Sequence, residues 1–170
     1  MKVLAGKVGY RHVVFAFFTA SVVLCVVASV ALSGEYFIVF DAASQFNPRV
    51  LSLTKQNVSE SARIITVNLN VRNPSSRPIL LYGYTVSLEL NGQFIAQRDV
   101  YPSLTLEPGS NRTLIESFTV IGGYAQYILQ AEQSGQWNWR ITYPMRFYVD
   151  WLYVTAENFG ELWSGIQEGF

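Results

Sequence analysis

The sequence predicts a mainly β protein, in which an antiparallel β-sandwich follows one N-terminal transmembrane helix. Three observations predict this fold class. The chain has one long uncharged apolar run, a stretch of strict two-residue alternation at 65–72, and turn dipeptides at intervals of about ten residues. Short antiparallel strands separated by such turns favour a sandwich over a parallel α/β sheet.

The apolar run extends from Val13 through Gly34, 22 residues without a charge. A helix rises about 1.5 Å per residue, so about 20 apolar residues cross the ~30 Å hydrocarbon core of a bilayer. The basic residues Lys2, Lys7 and Arg11 precede the run, and basic residues beside a span stay on the cytoplasmic side. We therefore expect a cell-membrane protein of one span, with a cytoplasmic N-terminus and its main domain outside.

A cleaved signal peptide is the alternative interpretation of this segment. Signal peptides have an apolar part of about 7–15 residues that ends in a small-x-small cleavage site. The run here is longer, and Leu32 interrupts the small residues between Ala28 and Ser33. The sequence favours a retained anchor, in which Cys25, the single cysteine, is an apolar filler that forms no internal disulfide.

Length and charge predict one domain after the anchor. About 135 residues follow the span, enough for one hydrophobic core. Beyond the basic N-terminus, nine Lys or Arg stand against twelve Asp or Glu without a basic cluster, which argues against a nucleic-acid partner. The predicted organisation is a basic cytoplasmic segment 1–12, a transmembrane helix 13–34, an extracytoplasmic β-sandwich 35–155 and an amphipathic tail 156–170.

Alternation of apolar and polar residues predicts the strands. Apolar side chains occupy one face of the first clear strand, at Ile65, Val67, Leu69 and Val71. A second alternating run at 84–90 ends at Asn91-Gly92, a dipeptide that favours a tight hairpin, so Gln93–Val100 is expected to return antiparallel. Further β-rich runs are predicted at 37–40, 50–53, 138–143 and 147–154.

The Pro108-Gly109 turn predicts a third pairing. It separates a short run with Leu104 and Leu106 from a new strand over 114–120. The interior stretch Tyr124–Gln133, bounded by glycines, predicts a short crossing helix.

Two stretches resemble the late embryogenesis abundant type 2 domain, also called the water stress and hypersensitive response domain. They read ITVNLNVRNPSSRPILLYGYTVSLELNGQFIAQ and LTLEPGSNRTLIESFTV, within a similarity that covers about residues 48–120 and continues more weakly to 154. The similarity is carried by Asn73, Pro74, Pro78, Ile79, Tyr84, Asn91, Gly92, Pro108 and Gly109. Ser75 departs from the family's common second Asn. The resemblance implies an immunoglobulin-like or fibronectin-III-like sandwich, often behind one transmembrane helix, with no enzyme activity and no agreed ligand.

The segment from Asn73 to Pro78 has two interpretations. Pro74 and Pro78 fix φ and lack an N–H donor, and the Asn73 side chain bonds nearby backbone in such turns, so a rigid turn is favoured. The alternative is an anion or partner contact made by Arg72 and Arg77.

Residues for familiar catalysis are missing from the outer domain. His12, the single histidine, lies on the predicted cytoplasmic flank, so no Ser-His-Asp triad or histidine metal site is expected outside. No phosphate-binding glycine loop or calcium loop occurs. The carboxylates are expected on outward, solvated strand positions, among them Asp41, Glu89, Asp99, Glu116 and Asp150. We expect no enzyme activity and no cofactor, and no small-molecule ligand is indicated.

Two other features concern surface contacts. Asn57 and Asn111 begin glycosylation sequons. Beyond Ala156, helical spacing of apolar residues predicts a short amphipathic helix. Its apolar residues and the last residue are possible partner contacts: Phe159, Leu162, Trp163, Ile166 and Phe170. The helix is expected to dock on its own domain, on a protein partner or, least favoured, on lipid.

The predicted function is that of a membrane-anchored accessory or assembly subunit. Its partners would be the lipid bilayer and other membrane proteins of a complex, contacted through a non-catalytic β-sandwich. A stress-protective or ligand-binding module that acts alone is one alternative. An archaeal pilin-like or archaellum-stator-like surface component is another.

Overall fold

The computed structural model describes residues 10–135, 137–157, 159–163 and 167–168. The chain divides into two compact units, Met1–Phe40 and Asp41–Phe170. Helix α1 (Tyr10–Gln45) makes up the described part of the first unit, and the sheets lie in the second.

Helix α1 is apolar and longer than predicted. Within it, Phe17–Gln45 is long and apolar enough to cross a membrane. The predicted β-rich run at 37–40 is helical, so that prediction was wrong. The helix continues through Gly34 and ends at Gln45. It ends shortly before Pro48 because proline disfavours a helical conformation in the residue that precedes it.

The smaller sheet has four strands in the order β11-β1-β2-β6. Strand β2 lies between β1 and β6 and is antiparallel to both, whereas β11 pairs parallel with β1. The strands are β1 (Asn47–Ser59), β2 (Ala62–Arg72), β6 (Asn111–Ile121) and β11 (Gln167–Glu168). The predicted inward row of β2 is fully buried, at Ile65, Val67, Leu69 and Val71.

The larger sheet has seven antiparallel strands built around β3 (Ile79–Leu90). Strand β3 pairs with β4, β5, β7 and β8, while β9 pairs with β8 and β10 with β7. These strands are β4 (Gln93–Val100), β5 (Leu104–Leu106), β7 (Trp139–Thr142), β8 (Met145–Val149), β9 (Leu152–Ala156) and β10 (Gly160–Trp163).

The mainly β, antiparallel prediction is confirmed. The hairpin between β3 and β4 turns at Asn91-Gly92, whose φ angles of 51° and 80° lie in the left-handed region that such a turn requires. The predicted interior helix is α2 (Gly123–Gln133), which buries Ala125, Ile128 and Ala131.

Two strand predictions were wrong in detail. Strands β5 and β6 do not pair across Pro108-Gly109, because β5 joins β3 in the larger sheet and β6 joins β2 in the smaller one. The run at 147–154 is two strands, β8 and β9, joined by a turn in which Asp150 has a φ of 51°.

The predicted C-terminal amphipathic helix was also wrong. Gly160–Trp163 forms β10, and Gln167–Glu168 forms β11. Gly160 weakens a helix by about 1 kcal/mol relative to Ala, and β7 offers a sheet edge on which the segment pairs instead. The tail thus adds an outer strand to each sheet.

Candidate protein-binding surface

Four tyrosines from neighbouring parts of the larger sheet lie together on its exposed face. The Tyr82 ring centroid is 6.0 Å from that of Tyr101 and 6.2 Å from that of Tyr148, both edge to face. The Tyr148 and Tyr153 centroids are 4.9 Å apart, and the Arg146 guanidinium lies 5.0 Å from the Tyr101 centroid. We call these four tyrosines and Arg146 the tyrosine surface.

A β-bulge and a glycine build this surface. Leu81 and Gly83 pair with consecutive residues of β8, so Tyr82 is the extra residue of a bulge that turns its side chain outward. A Cβ at Gly83 would lie 2.9 Å from Cδ1 of Tyr101. Glycine at this position therefore lets the Tyr101 ring cross β3.

The composition of the tyrosine surface is that of a protein interface. The exposed fractions of Tyr82, Tyr101 and Tyr153 are 44%, 57% and 46%. Tyrosine and arginine are enriched at interfaces because they combine large apolar area with hydrogen-bonding ends. An exposed group of such residues is more informative than a single exposed apolar side chain.

A shallow groove adjoins the tyrosine surface. Its volume is about 370 Å³, and its lining is Pro78, Leu80, Thr105, Tyr148 and Asp150. On one side, Arg77 Nη1 lies 3.4 Å from Oδ2 of Asp150. The groove gives the surface a concave margin.

The predicted turn motif forms a separate, internally satisfied cluster. Asn73 is fully buried, and its Nδ2 donates hydrogen bonds to the backbone oxygens of Arg77 and Leu106, each at 2.8 Å. Its Oδ1 accepts from the backbone N–H and the hydroxyl of Ser75, at 3.1 and 2.7 Å. The amide has no hydrogen-bonding capacity left for a ligand, which agrees with the turn interpretation.

The structure brings part of the family motif together. Gly109 N donates to Asn73 O at 2.8 Å, and Asn73 N donates to Ser110 O at 3.0 Å, so the Pro108-Gly109 turn docks on the end of β2. Asn91-Gly92 lies at the opposite end of β3, where Asn91 Oδ1 accepts from Asn138 N at 2.8 Å. The motif residues therefore stabilise two distant turns rather than one site.

A buried tyrosine and a carboxylate join the two sheets. The Tyr84 hydroxyl donates to Oε1 of Glu116 at 2.6 Å, and Arg98 Nε lies 3.6 Å from Glu116 Oε2. Burial, and then the hydrogen bond to Glu116, raise the pKa of Tyr84 well above its usual value. The predicted outward position of Glu116 was wrong, because this carboxylate is buried, accepts a hydrogen bond from the Tyr84 hydroxyl and faces Arg98.

A second such pair holds the C-terminal segment. Tyr143 donates to Oε1 of Glu161 at 2.7 Å, and burial followed by this hydrogen bond raises the pKa of Tyr143 well above its usual value. The Phe159 ring stacks on Tyr143 at 5.8 Å and meets Phe46 edge to face at 6.4 Å. Both tyrosines stay protonated donors, so neither is a base at neutral pH.

The predicted partner contacts in the tail have different positions. Phe159 is half-buried inside the domain, while Leu162 is 78% exposed beside it on β10. The Trp163 side chain, Ile166 and Phe170 lie outside the described residues. Phe159 therefore belongs to the fold, and partner binding by the remainder stays a prediction.

The sequons and the topology residues are placed as follows. Asn57 and Asn111 are both exposed, and Asn111 Oδ1 accepts from Asn70 Nδ2 at 2.6 Å. Glycosylation of either stays a prediction. Lys2, Lys7 and the Arg11 side chain fall outside the described part of the chain. Among the residues that the structure describes, no three His, Cys, Asp or Glu come together as a metal site requires.

Sequence reasoning did not find the tyrosine surface. Its residues lie on β3, β8 and β9 and beyond the end of β4, and a bulge decides which way Tyr82 points. The available signal was the presence of tyrosines in each of these segments, such as Tyr148 and Tyr153.

A solved structure with a TM-score above 0.5 supports this fold. A solution structure of a protein from Arabidopsis thaliana is 14% identical and covers 72% of this chain and 82% of that one, with a TM-score of 0.52. A crystal structure of a protein from Archaeoglobus fulgidus is 19% identical over 68% and 90% of the two chains, with a TM-score of 0.47. No curated protein matches the chain in sequence. The family model described as late embryogenesis abundant protein matches residues 68–156, more than half of the chain, which therefore belongs to the late embryogenesis abundant protein family.

Proposed function

We propose that this chain is a membrane-anchored, non-catalytic binding module, which serves as an accessory or assembly subunit by holding a protein partner on its tyrosine surface. Family membership indicates a stress-related module. The observation that carries the proposal is the group of exposed, mutually contacting tyrosines around Tyr82. Their ring faces and hydroxyls suit a protein surface rather than a single small ligand.

Helix α1 supports the anchored location. Its apolar stretch is compatible with a membrane span, and the basic residues before it favour an N-terminus in the cytoplasm. The domain would then lie outside, as an immunoglobulin-like or fibronectin-III-like sandwich. Support for that architecture comes from two mainly antiparallel sheets whose buried faces meet at Tyr84 and Glu116.

The two buried tyrosines support a role without catalysis. Glu116 and Glu161 each accept a tyrosine hydroxyl, and both tyrosines have raised pKa values. The two tyrosines stabilise the fold through these hydrogen bonds, and their hydroxyls are not poised to transfer protons near neutral pH.

The experiment is to purify the full chain from its own membranes in mild detergent and compare two double variants. Tyr82→Ser with Tyr101→Ser removes the centre of the tyrosine surface. Ile115→Ser with Ile121→Ser removes two side chains of similar exposure on β6 and is the matched control. We expect the tyrosine variant to lose a co-purifying polypeptide that the wild type and the control retain. Equal retention by both variants would refute the role of the surface.

A stress-related module that acts alone is the second candidate, which family membership favours. It predicts that neither variant changes the composition of the purified material, because nothing co-purifies. The same experiment therefore separates the two functions.

A further inference from the structure

Within the part of the chain that the structure describes, strand β9 leaves one edge of the larger sheet open. Among the strands that the structure describes, it pairs with β8 alone. An open edge presents unpaired N–H and C=O groups to any other strand, and proteins usually protect such edges with proline, lysine or other charged residues. The sequence of β9, LYVTA, contains no charge, proline or glycine and is rich in residues that favour strands.

Other margins of the sheets carry side-chain bridges. Arg98 on β4 donates to the Ser117 backbone oxygen on β6 at 3.4 Å. Glu161 on β10 accepts from the Val50 N–H on β1 at 3.0 Å. These bonds connect the two sheets at two places away from β9.

The register of the β8–β9 hairpin fixes which backbone groups of β9 point outward. Val149 pairs with Leu152 across the two-residue turn at 150–151. Residues that flank such a turn exchange hydrogen bonds with each other, and bonding then alternates along the strand. Tyr153 and Thr155 therefore direct their N–H and C=O groups away from β8.

We propose that β9 pairs antiparallel with β9 of a second copy of this chain, about a two-fold axis at Val154. In this register, Tyr153 of one copy lies opposite Thr155 of the other. Each such pair exchanges two hydrogen bonds through the outward backbone groups. The exposed side chains then form aromatic and β-branched cross-strand pairs, which are favourable, and no like charges face each other within the strand.

A second copy fits this edge better than an unrelated segment because β9 is complementary to itself. The outward backbone groups of Tyr153 and Thr155 in one chain bond to Thr155 and Tyr153 in the other chain, as an interface with two-fold symmetry requires. Tyr153 also contacts Tyr148, so the pairing would join the tyrosine surfaces of two copies into one face. The pairing does not require the partner proposed above.

The test is a disulfide between the two copies. The variant Cys25→Ser with Val154→Cys has one cysteine, placed where two chains would meet directly opposite each other. Residues in such pairs have Cα atoms about 4.5 Å apart, which a disulfide can span. We expect purified full chain in detergent to give, on mild oxidation, a covalent dimer in about tenfold greater yield than Cys25→Ser with Ile115→Cys. Equal yields would overturn the proposal.

A proline variant distinguishes pairing of the two β9 strands from cross-linking by random collision of two chains. Thr155→Pro removes one outward N–H that β8 does not use, so the hairpin should keep its fold. Added to the Val154→Cys variant, it should lower the dimer yield to that of the control, with unchanged circular dichroism and unfolding midpoint. An undiminished yield would overturn self-pairing. So would oxidation in native membranes that links the Val154→Cys variant to a different polypeptide and not to itself.

Discussion

The Tyr143 hydroxyl donates a hydrogen bond to Oε1 of Glu161 across 2.7 Å, and the same oxygen accepts the Val50 backbone N–H at 3.0 Å. Tyr143 follows β7 in the larger sheet, Val50 lies on β1 in the smaller sheet, and Glu161 lies on β10 in the C-terminal tail. One carboxylate oxygen therefore links both sheets to the tail. The tail is part of the folded domain.

Replacing Glu161 should destabilise the whole domain. In Glu161→Ala, a buried tyrosine hydroxyl and a backbone N–H lose their acceptor, and we expect the free energy of unfolding to fall by about 1–3 kcal/mol. Urea unfolding of the full chain in detergent measures this. Glu157→Ala, at an exposed position, is the control. A loss no larger than that of the control would mean that the bridge contributes nothing.

Asn73 should tolerate no substitution. Asn73→Asp keeps the size but removes the Nδ2 donor to the backbone oxygens of Arg77 and Leu106, and it places a charge in a buried site. We expect a loss of about 3 kcal/mol or more in unfolding free energy, with a similar loss for Asn73→Ala. Asn111→Asp, at an exposed asparagine, should change stability by about 0.5 kcal/mol or less. An aspartate variant as stable as the wild type would refute the role assigned to Nδ2.

Gly83→Ala should displace the Tyr101 ring of the tyrosine surface. The added methyl would lie 2.9 Å from Cδ1 of Tyr101, so the ring must shift from its position against Tyr82. We expect weaker partner retention and a loss of stability of about 1–2 kcal/mol. Measured in the Tyr101→Ala background, the cost of Gly83→Ala should be clearly smaller, because the clashing ring is absent. An equal loss of stability in both backgrounds would mean that the strain does not come from the Tyr101 ring.

Stability should fall at alkaline pH because of the two buried tyrosines. Tyrosine in an unfolded chain has a pKa of about 10, whereas burial and carboxylate acceptors raise the pKa values of Tyr84 and Tyr143. As pH rises above about 10, the unfolded chain loses protons that the folded chain keeps, so the free energy of unfolding decreases. Urea unfolding between about pH 9 and 11 should show a smaller decrease for Tyr84→Phe with Tyr143→Phe. An identical pH slope would contradict the assignment.

Several local features were predicted correctly from the sequence. Alternation placed the β2 core row, Asn91-Gly92 placed a hairpin, and bounding glycines placed α2. These features depend on neighbouring residues, so a pattern within one segment predicts them.

Features that depend on distant pairing were not predictable in this way. Helical spacing after Ala156 was real, but the open edge of β7 decided the conformation of Gly160–Trp163. Glu116 was assigned to solvent although it continues an apolar row with Phe118, because its acceptor role depends on Tyr84 in another sheet. The tyrosine surface needed both a bulge and the placement of four separate segments.

The mass and composition of the complex released from native membranes by mild detergent test the proposed function most directly. Light scattering with size exclusion, followed by mass spectrometry, gives both. We predict a protein mass well above the 19.2 kDa of one chain, with a second kind of polypeptide that Tyr82→Ser with Tyr101→Ser releases. A single chain, or copies of this chain with no other polypeptide, would contradict a role as an accessory subunit.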